Sequence, residues 1–181
     1  LTVIEFPCTV WSILQSNTNK PEDLAEQRER DRPFLQLVKD LFKDQRRRGG
    51  HALAENPATA ASWVQDEILE LRQEFFETTS CMCQFGMIGK DGMPMLKRVR
   101  WLATHEIFIE YLDRQCNFEH THEKVAGSNT SLSAQYPPDL ADTIIRAYLA
   151  VVRREDFGVH HDWQVLEARH VNYIDVKRDE E

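Results

Sequence analysis

Short apolar segments alternate along this chain with longer segments in which apolar residues recur at helical spacing. The first short segment covers residues 1–6, and the second covers residues 51–54. Between them the helical spacing begins after Pro21, and Pro33 is expected to split that helix. Strands that alternate with helices form βαβ units, whose chemistry lies beyond the carboxyl ends of the strands. The alternation therefore predicts an α/β fold.

The second half of the chain continues the alternation. Helical spacing predicts a helix over residues 63–76, and residues 76–85 and 99–104 are typical of two strands joined as a hairpin. A short helix over residues 106–116 and a polar loop precede a helix that begins at Pro138. We therefore expect four strands followed by a C-terminal helical extension.

The length and composition suit one folded domain. The chain has 181 residues, of which 41% are hydrophobic and 29% are charged, as in ordinary globular domains. We assign residues 1–156 to a single α/β domain with a candidate zinc loop at 116–127, and residues 157–181 to a polar tail that frays. The sequence has no apolar run of eighteen residues and no secretory signal. We therefore expect an intracellular protein, in nucleus or cytoplasm, without membrane contact.

The net charge limits the partners of this chain. A formal charge of −8 opposes indiscriminate binding to phosphate groups. The dense basic stretches are residues 46–48 and 97–100. Contact with nucleic acid is therefore expected only through a local basic patch.

Three motifs follow or begin the predicted strands. Cys8 follows the first strand, where backbone N–H groups would favour a nucleophilic thiolate, and a buried, inert cysteine is the alternative. Glu55 follows the second strand, where a buried carboxyl group could donate a proton to a ring nitrogen, although it also suits an ordinary loop. Arg98 and Arg100 would present two guanidinium groups to a phosphate or carboxylate, or protect a solvated edge strand. We predict that all four residues converge on one rim of the sheet.

The order and separation of these motifs resemble those of the cytosine-5 DNA methyltransferases. That family has Pro-Cys-Gln after its fourth strand, Glu-Asn-Val after its fifth, and Tyr-Gly and Gln-x-Arg-x-Arg around its sixth and seventh. The counterparts here are PCT, ENP, FG and KRVR, and the wider pattern to about residue 125 is similar to methyltransferase-like domains carried in retroelement polyproteins. The resemblance implies a partial Rossmann-like methyltransferase sheet, strands four to seven, with flanking helices.

The resemblance also implies a role for each site residue. Cys8 would attack the pyrimidine ring, and Glu55 would protonate and hold its N3 edge. Arg98 and Arg100 would position the substrate. A base in duplex DNA would have to be flipped out of the stack to reach them.

The chain also departs from the family's pattern. Thr9 and Pro57 replace the family's Gln and Val, Leu96 stands where the Gln of the last motif would be, and no glycine-rich loop for S-adenosylmethionine is present. The strands that would bind the donor are expected upstream of Leu1, so the donor should bind only if an N-terminal half is supplied. We therefore expect a degenerate or split methyltransferase-like domain that is not active alone, and an enzyme only with that half.

A separate group of residues suits a metal ion. Cys116, His120 and His122 lie within seven residues, and Cys83, or Cys81 as its substitute, could supply a fourth ligand. Thiolate and imidazole ligands in tetrahedral array suit Zn²⁺, which would hold a polar loop that has little core of its own. Exposed histidines in a charged loop are the alternative.

Two acidic residues beside these ligands, and the histidines of the polar tail, are not expected to bind the metal ion. Glu119 and Glu123 are expected to be solvated or to support the ligands. A second hypothesis, of a different class, is therefore a non-enzymatic, zinc-stapled interaction or structural module of a larger assembly or polyprotein.

Overall fold

The computed structural model describes residues 1–12, 15 and 19–156, so the predicted polar tail, residues 157–181, lies outside the described residues. The strands are β1 (Thr2–Glu5), β2 (Ala52–Pro57), β3 (Phe76–Cys81) and β4 (Arg98–Ala103). The helices are α1 (Pro21–Arg47), α2 (Asp66–Glu74), α3 (Glu106–Leu112), α4 (Asn129–Leu132) and α5 (Pro138–Asp156), with short 3₁₀ helices over Ala61–Val64 and Met82–Phe85. Within the described ranges, no helix is both long and apolar enough to cross a membrane.

The four strands form one mixed sheet in the order β1-β2-β4-β3. Strands β1 and β2 are parallel, and β4 runs antiparallel to both β2 and β3. Strand β4 therefore enters the sheet between two strands that precede it in the chain. The predicted α/β fold and the predicted hairpin of the third and fourth strands are confirmed.

The sheet divides the core into two parts. Residues that are paired across neighbouring strands point to the same face, and successive residues point to opposite faces. One face carries Leu53, Val99 and Trp101 and is covered by α3 and α5. The other face carries Ala54 and Leu102 and is covered by α1 and α2. The fold thus has three layers, with helices on both faces of the sheet.

Helix α1 continues through Pro33, so the predicted split at this residue is wrong. Pro33 lies on the exposed side of the helix, and Glu29, whose carbonyl group loses its helical partner, is exposed as well. Water can therefore take that hydrogen bond. Buried Leu24 and Leu35 pack on either side of the proline and hold both parts of the helix against the core.

Other boundaries also differ from the prediction, and the short helix expected over residues 106–116 ends at Leu112. The helix expected over residues 63–76 consists of the 3₁₀ helix Ala61–Val64 and helix α2, with Gln65 between them. The third strand ends at Cys81 and gives way to a 3₁₀ helix instead of continuing to residue 85. Glu55, expected in a turn, lies inside β2. This last difference matters most, because a residue inside a strand has a defined face of the sheet.

Two phenylalanines on α1 allow a test of how this helix packs against the core. Phe42 is fully buried and its ring contacts that of Phe75 edge-on at 5.3 Å, whereas Phe34 is 47% exposed. Phe42→Ala should lower the free energy of unfolding by about 3–5 kcal/mol, since it removes a buried aromatic ring. Phe34→Ala, on the same helix, should cost less than about 1 kcal/mol. Urea denaturation measures both, and equal losses would contradict the described packing.

Candidate functional site

The carboxyl ends of β1 and β2 form a polar rim. The two strands are parallel and in register, with Glu5 paired to Glu55. The Asn56 side-chain amide donates a hydrogen bond to the Phe6 carbonyl at 2.9 Å, which ties the end of β1 to β2. Cys8 follows directly, is exposed, and begins a turn in which its carbonyl accepts from the Trp11 amide at 3.2 Å. The structure therefore places Cys8 just after the end of β1 and Glu55 near the end of β2, on the same rim of the sheet.

Glu55 is a buried carboxyl group with an incomplete set of partners. It is 5% exposed, and no described group makes a hydrogen bond to its Oε1 atom. The Lys97 Nζ atom lies 3.7 Å from that oxygen. Burial raises the pKa of Glu55 to about 7, although the Lys97 ammonium group lowers it, and the Glu5 carboxylate raises it. The group can therefore hold or release a proton close to neutral pH.

The two arginines of the last motif lie on the opposite face of the sheet from Glu55. Arg100 is paired with Asn56, the neighbour of Glu55, so its side chain points away from Glu55. Its guanidinium group donates to Glu77 at 3.1 Å and lies 5.8 Å from the centre of the Trp63 ring. Arg98 is exposed on that same face. The arginines therefore share the rim of the sheet with Glu55, as predicted, but their side chains point to the opposite face.

Two residues near Glu55 were not assigned to a site by sequence reasoning. Lys97 was noted only as part of a basic run, and Tyr136, which precedes α5, was not noted at all. The Tyr136 hydroxyl is buried without a hydrogen-bond partner among the described residues. Burial raises the pKa of Tyr136 strongly, and the Glu55 and Glu5 carboxylates add to the effect. Lys97 could have been found only from the register of β4, and no local signal marks Tyr136.

The predicted metal ligands lie together in the structure. Cys83 is in the 3₁₀ helix after β3, Cys116 follows α3, and His120 and His122 lie in the loop that comes next. Their ligand atoms all lie within 4.8 Å of one another, so the four side chains could hold a metal ion. Cys81 is buried in β3 and does not belong to this group.

Two distances in this cysteine–histidine cluster are close to those of tetrahedral coordination. The Cys116 Sγ atom is 3.7 Å from His120 Nε2 and 3.5 Å from His122 Nε2. Zinc bonds of about 2.3 Å to sulfur and about 2.0 Å to nitrogen, at the tetrahedral angle, imply an S···N separation of about 3.5 Å. The histidines thus already have the spacing that a shared ion would require.

A backbone amide also contacts the sulfur atom of Cys116. The Phe118 amide donates to Cys116 Sγ at 3.3 Å, with Phe118 held at φ 60°. A left-handed conformation is costly for an aromatic residue, so other interactions must stabilise it. Burial, and then the neighbouring Cys116 thiol, raise the pKa of Cys83 to about 11. A Cys83 thiolate near neutral pH therefore needs a cation such as a metal ion.

Glu123 anchors the loop that carries the histidines. Its carboxylate accepts the backbone amides of Asp91 and Met93 at 3.0 Å and the Asn129 side-chain amide at 2.9 Å. A β-carbon at Gly89 would lie 2.4 Å from this carboxylate, so a larger residue there would displace the carboxylate from its hydrogen bonds. Glu123 is buried, so of its two expected roles the solvated one is wrong, because the turn surrounds its carboxylate with donors.

Comparisons with known proteins do not assign this chain to a family. None of the protein-family models, curated proteins or solved structures compared with it matches. The polar rim and the cysteine–histidine cluster are therefore the features of the molecule that point to a function.

Glu55→Gln should remove a pH dependence of folding stability. Because the pKa of Glu55 is raised in the folded state, the stabilisation is fully present below about pH 4.5 and is lost as the pH rises through about 7. A shift of this size corresponds to roughly 3 kcal/mol. In urea denaturation the variant should match the wild type near pH 4 and be more stable near pH 8.

Glu5→Gln is the matched control. Glu5 is exposed and lies opposite Glu55 in the register, so this variant should keep most of the wild-type pH dependence. If Glu55→Gln and the wild type lose stability in parallel between pH 4 and pH 8, Glu55 is not the buried acid described above.

Proposed function

We propose that this chain is the catalytic half of a cytosine-5 methyltransferase-like domain, of the kind carried in retroelement polyproteins. In this proposal it is split from the half that binds S-adenosylmethionine and does not transfer a methyl group alone. The observation that carries the proposal is the state of Glu55: a buried carboxyl group with a free oxygen and a pKa of about 7. It lies on the strand next to the one that leads to Cys8.

The order of the strands supports the proposal. If the four strands correspond to strands four to seven of the family, the observed order is 4-5-7-6, with the last strand reversed. Insertion of this strand brings its first residues beside the carboxyl end of β2. The KRVR motif therefore meets the ENP motif on one rim, whereas a strand added at the outer edge would leave the two motifs apart.

The chemistry of the rim suits addition to a pyrimidine. The Cys8 thiolate would add to C6 of the ring while Glu55 gives its proton to N3, so that the electron pair of the C5–C6 double bond becomes available at C5. With a methyl donor, C5 would take the methyl group. Without a donor, C5 would take a proton from water. Loss of the original C5 proton to the hydroxide left from that water, with expulsion of the Cys8 thiolate, would then restore the C5–C6 double bond, and the proton on N3 would return to Glu55.

The geometry favours a split domain over a degenerate one. The departures Thr9 and Pro57 leave the nucleophile and the acid in place, and Glu55 keeps the buried state that a proton donor needs. What the sequence lacks is a glycine-rich loop for the donor. In this proposal, an N-terminal half would supply the binding of S-adenosylmethionine.

Hydrogen exchange at C5 of cytosine tests this proposal without a methyl donor. The chain is incubated in D₂O with a single-stranded oligodeoxynucleotide, which avoids the cost of base flipping, and loss of the C5 proton is followed by ¹H NMR. We expect the wild type to catalyse exchange, Cys8→Ser to abolish it, and Glu55→Gln to slow it about 100-fold. Glu5→Gln should behave as the wild type. Exchange that is absent in the wild type, or that survives Cys8→Ser, would contradict a split catalytic half.

A second candidate function is favoured by the cysteine–histidine cluster. We infer that Cys83, Cys116, His120 and His122 hold Zn²⁺, because two thiolates and two imidazoles at tetrahedral spacing suit this ion. Four protein ligands leave no open position, which is typical of a structural site. Under this alternative the chain is a zinc-stapled interaction module of a larger assembly, and its methyltransferase likeness is architectural. The reducing interior of a cell, in nucleus or cytoplasm, would keep these thiols available.

Zinc content tests the ligand set. Protein purified without chelator should contain one Zn²⁺ ion per chain, and Cys116→Ser should contain almost none, because three ligands bind far more weakly than four. Cys8→Ser is the matched control, since Cys8 is exposed and does not belong to the cluster. Equal zinc in Cys116→Ser and Cys8→Ser, or none in the wild type, would overturn the assignment.

A further inference from the structure

We propose that Lys97 is the positioning residue of Glu55. In this proposal Lys97, and neither Arg98 nor Arg100, is the cation that orients the buried carboxyl group and stabilises the carboxylate left after proton transfer. The inference deepens the proposed function and depends on it for its catalytic meaning.

The ammonium group of Lys97 is fixed between two acceptors. Its Nζ atom lies 3.7 Å from Glu55 Oε1 and donates a hydrogen bond to the Ser133 carbonyl at 3.0 Å. The two side chains are 17% and 7% exposed, so solvent screens this pair far less than a surface ion pair. The bond to Ser133 thus holds the ammonium group near Glu55 Oε1 but beyond hydrogen-bond distance from it.

The backbone of Lys97 is held on both sides. Its carbonyl accepts the Met82 amide at 2.8 Å, and its own amide donates to the Met95 carbonyl at 3.1 Å. Lys97 therefore has a fixed orientation immediately before β4, which begins at Arg98. The alternation of side chains along an extended chain places Lys97 toward Glu55 and directs Arg98 to the opposite face.

The other groups near Glu55 cannot replace Lys97. Glu5 faces it from β1 and is acidic, and Trp101 faces it from β4 and carries no charge. Tyr136, from the segment before α5, is a neutral phenol with a strongly raised pKa. Among the described groups that face Glu55, Lys97 is the one cation. An ionised Glu55 thus depends on Lys97 for its compensating charge.

A ¹³C NMR titration of the Glu55 carboxyl group in three variants tests the proposal. Lys97→Met should raise the pKa of Glu55 by about one unit or more, because an opposite charge at this distance lowers a carboxyl pKa. Lys97→Arg should restore a value close to that of the wild type. Arg98→Met, the matched control on the next residue, should leave the pKa unchanged. A Glu55 pKa that is insensitive to Lys97→Met, or that shifts equally with Arg98→Met, would overturn the role of Lys97.

Two further readouts keep the test decisive. In the wild type, the ¹⁵N chemical shift of Lys97 Nζ should change as Glu55 titrates. This measurement does not depend on the folding of a variant. A chemical shift that stays constant through the titration of Glu55 would contradict the ion pair. The pH profile of C5 exchange should move to higher pH in Lys97→Met and return in Lys97→Arg. If the wild type shows no exchange, the proposed function fails, while the NMR titration still decides the role of Lys97.

Discussion

The insertion of β4 between β2 and β3 is the constraint on which the rest of the structure depends. β4 pairs with both neighbours and supplies Trp101 to one core and Leu102 to the other, so it holds the two layers of helices on a common sheet. Its reversed direction also places its first residues beside the carboxyl end of β2. The polar rim exists because these two strand ends meet.

The same insertion connects the polar rim to the cysteine–histidine cluster. Lys97, at the entrance to β4, accepts the amide of Met82, and Cys83 is the next residue of that 3₁₀ helix. Arg114, shortly before Cys116, accepts the Cys81 amide at 2.8 Å and places its guanidinium group 4.6 Å from the centre of the Phe85 ring. A metal ion in the cluster would therefore stabilise the segment that supports Lys97. The two candidate functions share this segment and are compatible in one molecule.

The sequence predicted those features that depend on local pattern. The β-branched strand at residues 2–5, the helix that begins at Pro138 and the short spacing of Cys116, His120 and His122 are all local in origin, whereas Cys83 comes from a more distant segment. Register is not local, because an offset of one residue moves every side chain of a strand to the other face. For this reason the sequence grouped Glu55 with the arginines, while the structure pairs it with Lys97.

Long-range hydrogen bonds explain the remaining differences. Glu123 is buried because a turn some thirty residues earlier in the chain surrounds its carboxylate with donors, and no pattern around Glu123 reveals that turn. Tyr136 reaches the neighbourhood of Glu55 through the packing of α5 on the sheet. Pro33 is tolerated because its side of α1 is exposed, which depends on how the helix packs. Each of these outcomes is decided by tertiary contacts and not by propensity.

We propose that Cys8 and Glu55 act together on a pyrimidine ring, as nucleophile and proton donor. The most direct test is covalent capture: an oligodeoxynucleotide that carries 2-pyrimidinone, a ring without the 4-amino group and more open to addition at C6, is mixed with the chain near pH 7. Peptide mass spectrometry should then locate one adduct on Cys8 in the wild type, and Glu55→Gln should form it much more slowly. An adduct on another cysteine, or no adduct at any cysteine while the chain is folded, would contradict the account.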